Sequence, residues 1–146
     1  QCDTVDGPLL KKLLASSLAR AGTFNQQELS MTLWGIARIR DQYEIDPDLY
    51  QTSYMAAIEA RHRSFNVQAL STTFWALAKI GIVPGPQVLY LLIGQVLVKA
   101  KHFEPQGLSS VLWACGLLSY NPGPEALRVI SAHIGRRAGG GDGLGE

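Results

Sequence analysis

Little in this chain suits a cross-linked, strongly charged or membrane-spanning protein. It has two cysteines, Cys2 and Cys115, among 146 residues. One stands in the N-terminal tail and the other in an apolar helical slot, so a disulfide framework is excluded and a reducing compartment fits better. Charged residues make up only 17% and the formal net charge is +1. Overall charge therefore gives no case for nucleic acid, and such a case must rest on where the cations lie. The longest apolar run, Val88 to Val98, is interrupted by Gly94-Gln95. It is too short to cross a bilayer and reads as a buried helix, so no membrane partner is expected. No secretory leader is visible, and a start at Gln1 fits a processed or partial product.

Catalytic and metal-binding patterns are equally scarce. His62, His102 and His133 lack metal-ligand spacing with either cysteine. The acidic cluster Asp41, Glu44, Asp46, Asp48 lacks calcium-loop spacing. The glycines Gly139–Gly141 follow no strand, so they form no phosphate-binding loop. The chain reads as neither an enzyme nor a holder of a metal or cofactor.

What the chain does have is apolar residues (47%) and an internal repeat. The segments Phe24–Ile39, Phe65–Ile80 and Phe103–Leu118 align without gaps on the pattern F-x-x-Q-x-L-S-x-x-x-W-[AG]-x-[AG]-x-[IL]. Their tryptophans, Trp34, Trp75 and Trp113, are 41 and 38 residues apart, the first interval being lengthened by the turn Asp41–Asp46. Each segment reads as a helix. Asn25, Asn66 and Glu104-Pro105 start it, and Asn25 with Glu28 resembles a capping box. The Phe before each cap and Leu29, Leu70 or Leu108 after it have the spacing of a hydrophobic staple. The small residues Ala37, Ala78 and Gly116 share a slot that would let a neighbouring helix approach.

Proline and glycine open a second set of helices at Pro8, Pro47, Pro86 and Pro124. The expected helices are 8–21, 25–40, 47–63, 66–81, 86–101, 105–119 and 124–137, with a flexible Gly-rich tail over 138–146. The fold class is all-α, an α-α solenoid or superhelix of about three and a half helix-hairpin repeats spanning 1–137. Neither end shows a polar capping helix, so neighbouring proteins or further repeats are expected to cover the ends.

The segments Leu33-Trp-Gly-Ile-Ala-Arg-Ile, Phe74-Trp-Ala-Leu-Ala-Lys-Ile-Gly-Ile-Val-Pro and Leu112-Trp-Ala-Cys-Gly-Leu-Leu resemble octotricopeptide repeats. Related arrays occur in RAP-domain and FAST-kinase-like proteins. The resemblance covers roughly Pro8 to Arg137, is nearest in the second repeat, and includes no RAP domain. It implies an RNA-binding protein of the mitochondrion, or alternatively the chloroplast. Such a protein would be an RNA maturation or stability factor, or a structural ribosome component contacting ribosomal RNA.

Cations recur at the ends of the second helix set: Arg20, Arg61, Lys99 and Arg137, with Arg63, Lys101 and Arg136 beside them. Stacked repeats would align them as a basic edge for phosphates. The same placement would offset helix dipoles. Arg38, Arg40 and Lys79, at the ends of the first helix set, carry the same ambiguity. Gln27, Gln68 and Gln106 recur in the first turn, where they could bond RNA or join repeats; being invariant, they cannot encode different bases. The varying positions include Val67, Pro105 and Gly107, which offer no side-chain donor, so shape or phosphate contact is expected to outweigh base reading. Ser30, Ser71 and Ser109 are expected to bond helix backbone or to pack between repeats. The alternative function is a protein–protein scaffold in a large organellar complex without RNA contact. The tryptophans, each among apolar neighbours, read as core. On that reading Trp75→Ala lowers the unfolding free energy by about 3–5 kcal/mol in urea titration.

Overall fold

Asn25 shows how a helix of the first set begins. Its side chain accepts from the Glu28 N–H at 2.8 Å, and Glu28 Oε1 accepts from the Asn25 N–H at 2.9 Å, so the capping box forms as expected. Asn66 accepts likewise from the Ala69 N–H, and Pro105 fills the first position of the third such helix. The computed structural model describes residues 7–143. Among these it is all-helical: α1 (Gly7–Arg20), α2 (Gln26–Ile39), α3 (Asp48–Arg61), α4 (Val67–Ile80), α5 (Pro86–Val98), α6 (Pro105–Leu117) and α7 (Pro124–Gly143).

Helix ends differ from expectation in two ways. The ends of α1, α3 and α5 tighten into 3-10 turns, Ala21–Thr23, His62–Ser64 and Ala100–His102. There the N–H groups of Phe24, Phe65 and Phe103 donate three residues back, at 3.1–3.3 Å. The tighter turn reverses the chain in few residues and delivers each phenylalanine to the start of the next helix. At the other end, α7 runs to Gly143 where a flexible tail was expected from 138. Glycine weakens a helix without forbidding it, and no proline interrupts this stretch.

Packing follows the repeat. Helix α4 lies between α2 and α6, and α3 packs against both α1 and α5, with α5 in turn against α7. The hairpin pairs α2–α3, α4–α5 and α6–α7 also touch. Phe65, Phe74, Phe103, Leu70 and Leu77 are buried in the shared core. The small residues that matter there are Ala76 and Ala114, both fully buried. The expected small slot holds only at Ala37; Ala78 is half-buried and Gly116 is exposed, with open space where a Cβ would stand. Helix α6 is the end of its row in the described residues, so one flank of it has no neighbour to approach.

Helix α4 ends at Gly81, in the left-handed region at φ 91°, with both Gly81 and Ile82 N–H groups donating to Leu77 O. The equivalent residue after α6 is Ser119, held at φ 55° without glycine's freedom. Buried Thr73 in α4 has no hydrogen-bond partner for its hydroxyl among the described residues. The third repeat carries Val111 at that slot. Removing the stranded hydroxyl removes its desolvation cost, so Thr73→Val is expected to stabilise the chain by about 1 kcal/mol, read from the urea midpoint.

Candidate nucleic-acid interface

Helical geometry sorts the residues of α2, α4 and α6 onto two sides. Leu29, Leu33, Ile36 and Ala37 of α2 are buried. On the opposite side, Gln27, Met31, Trp34 and Arg38 follow one another at spacings of four, three and four, and all are exposed. The same face of α4 carries Gln68, Thr72, Trp75 and Lys79, and that of α6 carries Gln106, Ser110, Trp113 and Leu117. Because the helices lie side by side, the three faces form one surface. Its rows are glutamines at the helix starts, indoles at mid-length, and the cations Arg38 and Lys79 beyond them.

Two of the three indoles correct the core reading, while Trp75 packs against the core from its edge. Trp34 and Trp113 expose 39% and 44% of their surface, and Trp75 is half-buried. Large apolar volume in the core comes from the phenylalanines instead. The reason is angular: the tryptophan lies on the side of the helix turned away from Leu29 and Leu33, on the stripe begun by the glutamine. That stripe, polar at its first position in every repeat, was the signal in the sequence that the indole faces outward. Arg38 lies over the Trp34 ring, its guanidinium carbon 5.2 Å from the centroid.

The cations at the ends of α1, α3 and α5 behave differently from an open basic edge. Arg61 Nη2 donates to Gly22 O at 2.6 Å. Lys99 Nζ donates to Arg63 O at 3.1 Å and also to Phe65 O. Gly22 and Arg63 each stand two residues past the equivalent cation of their own repeat. Each cation thus reaches back to the 3-10 turn of the preceding repeat and satisfies its carbonyls. Arg20 is exposed and makes no such bond among the described residues; Arg63 and Lys101 are exposed as well. Arg136 and Arg137 lie outside the described side chains.

The glutamines Gln27, Gln68 and Gln106 are exposed at their helix starts. Their neighbour Gln26 joins repeats: its Oε1 accepts from the Asn66 N–H at 3.2 Å. Ser30 and Ser71 bond carbonyls of their own helices, as expected. Between the starts of α4 and α6 lies a groove of about 370 Å³, lined by Val67, Gln68, Ser71, His102, Phe103, Glu104, Gln106, Gly107 and Ser110.

No cluster of three or more metal-ligating side chains exists among the described residues. Cys115 is buried, and burial pushes its thiol up to about 11. A thiol so protonated is a poor nucleophile. No helix among the described residues is long and apolar enough to cross a membrane. Comparison with protein-family models, curated proteins and solved structures finds no match to this chain.

The cation bonds have a measurable consequence. Lys99→Met and Arg61→Met keep the aliphatic stem and remove the donors. Each is expected to lower the unfolding free energy by about 1–2 kcal/mol in urea titration. Arg63→Met, at an exposed side chain, is expected to change it by less than about 0.5 kcal/mol.

Proposed function

We propose that this chain is a single-stranded RNA-binding protein whose RNA lies across the outward face of α2, α4 and α6. The observation that carries this reading is the indole repeated at one outward slot of every helix of that row, exposed on α2 and α6 and half-buried on α4, with an amide before it and, on α2 and α4, a cation after it. A fold gains nothing from leaving an indole in water, whereas every base has a face that can stack on one. Arg38 and Lys79 supply phosphate contacts, and the exposed glutamines supply hydrogen bonds to bases or sugars. With a net charge of +1, affinity rests on stacking more than on bulk electrostatics.

The finer reading is an α-α solenoid of the octotricopeptide kind acting in the mitochondrion, with the chloroplast as alternative. Its RNA is ribosomal or an organellar transcript, and its task is structural within a ribosome or lies in transcript maturation and stability. The support for this is the repeat pattern itself, together with the side-by-side order of α2, α4 and α6 and of α1, α3, α5 and α7.

A protein–protein scaffold is the second reading, and a different surface favours it. Tyr90 and Val98 of α5 are exposed, and beside them a groove of about 370 Å³ runs past Leu91, Leu97 and Tyr120. Apolar docking there would strengthen or hold as salt rises, whereas phosphate binding weakens.

Trp34→Ala and Trp113→Ala distinguish the two. Each is expected to weaken binding of a short single-stranded RNA by roughly tenfold in fluorescence anisotropy. The urea midpoint is expected to move far less than for Phe65→Ala, which empties a fully buried site. Unchanged RNA affinity in both variants would overturn the assignment of this face.

A further inference from the structure

Repetition makes departures visible, and the outward side of α5 departs. Helix α5 carries no charged residue from Pro86 to Val98. A helix apolar all round is ordinarily covered all round. Yet Tyr90 and Val98 are 73% and 72% exposed. Gly94 lies between them with open space where a Cβ would stand, and half-buried Leu91 and Leu97 flank the line. At the slot of Tyr90 the sibling helices α1, α3 and α7 carry Lys11, Thr52 and Arg128, all exposed. At the slot of Val98, α1 and α3 carry Ala19 and Ala60. Packing of this row therefore asks for no large apolar side chain at either slot. An uncovered apolar stripe that folding does not require marks a contact surface.

We propose that the stripe is a homodimer interface, in which two copies cross antiparallel on α5 about a two-fold axis at Gly94. Tyr90 and Val98 each stand four residues from Gly94, about 6 Å along the helix on either side. A two-fold axis there lays each Tyr90 ring over the other copy's Val98, with the bare Gly94 backbones meeting at the crossing. The groove of about 370 Å³ along the stripe, bounded by Tyr120 and Pro122, is volume that a second helix fills. Charge selects both the partner and the direction. A partner helix bearing charges would have to strip them of water against this stripe, whereas a second copy brings a stripe equally free of them. Arg63 stands at the end of α5, where its carbonyl accepts from Lys99, and the Glu125–Arg128 pair stands at the Tyr120 side of the groove. Parallel pairing would bring the two Arg63 side chains together, and antiparallel pairing keeps them apart. The interface is independent of the RNA reading, because none of the stripe lies on α2, α4 or α6.

Sedimentation velocity on the full chain tests the dimer, over roughly a hundredfold range of concentration. The expected mass rises from one chain to two and no further, since a two-fold contact closes on itself. Tyr90→Arg and Val98→Glu are each expected to stay at one chain throughout. Mixed in equal amounts, they are expected to form a dimer again, because the two new charges face each other across one half of the crossing and the native pair fills the other half. Far-UV circular dichroism and the urea midpoint check that both variants fold, as substitutions at exposed positions should. One chain at every concentration, growth beyond two chains, or self-association that both variants keep would overturn the proposal. So would a mixture that stays at one chain, since the antiparallel crossing requires the rescue. Each of these results leaves the RNA face untouched.

Discussion

An amphipathic helix in a row can hide its apolar flanks only against the next helix of the same row, and this constraint organises the molecule. Helix α4 meets it fully: Ala69, Leu70, Thr73, Phe74, Ala76, Leu77 and Ile80 are buried between α2 and α6. A hairpin taken alone would leave much of that surface in water, at a cost of roughly 25 cal/mol per Å². Stacking removes the cost and at the same time dictates register. Since each repeat enters its helix through the same cap, equivalent residues come to lie beside one another. The outward face is the complement of the packed one, so it too repeats.

That complement explains why two of the indoles are exposed. The packed side is filled by Phe65, Phe74 and Phe103 and is narrowed by Ala76 and Ala114. Trp34 and Trp113 remain on the far side with the glutamines and, on α2, Arg38.

The same register gives the cations of α3 and α5 a structural duty. A 3-10 turn ends with carbonyls that no amide of its own can reach. Arg61 and Lys99 reach them from the following repeat, so each junction is held by a charge-assisted bond as well as by apolar contact. A row of cations read along the sequence as a phosphate edge is thus, at Arg61 and Lys99, a set of ties between neighbours. At the α4–α6 junction a different tie is missing, the one Gln26 provides one repeat earlier, and a groove takes its place.

Local rules were enough for much of this. Caps, prolines and apolar spacing determined that the described residues are all-helical and, within a residue or two, where the helices start, because those preferences act over a few residues. The capping box at Asn25 and the helical duty of Ser30 and Ser71 were legible for the same reason. Tertiary structure alone decided what the repeated polar and aromatic residues touch. Whether Lys99 meets a phosphate or a carbonyl depends on a turn some 36 residues away. Whether Trp75 is core depends on which flank its neighbouring helices take. Val67 and Gly107 become meaningful only when α4 and α6 are side by side, since a groove belongs to two helices and is written in neither.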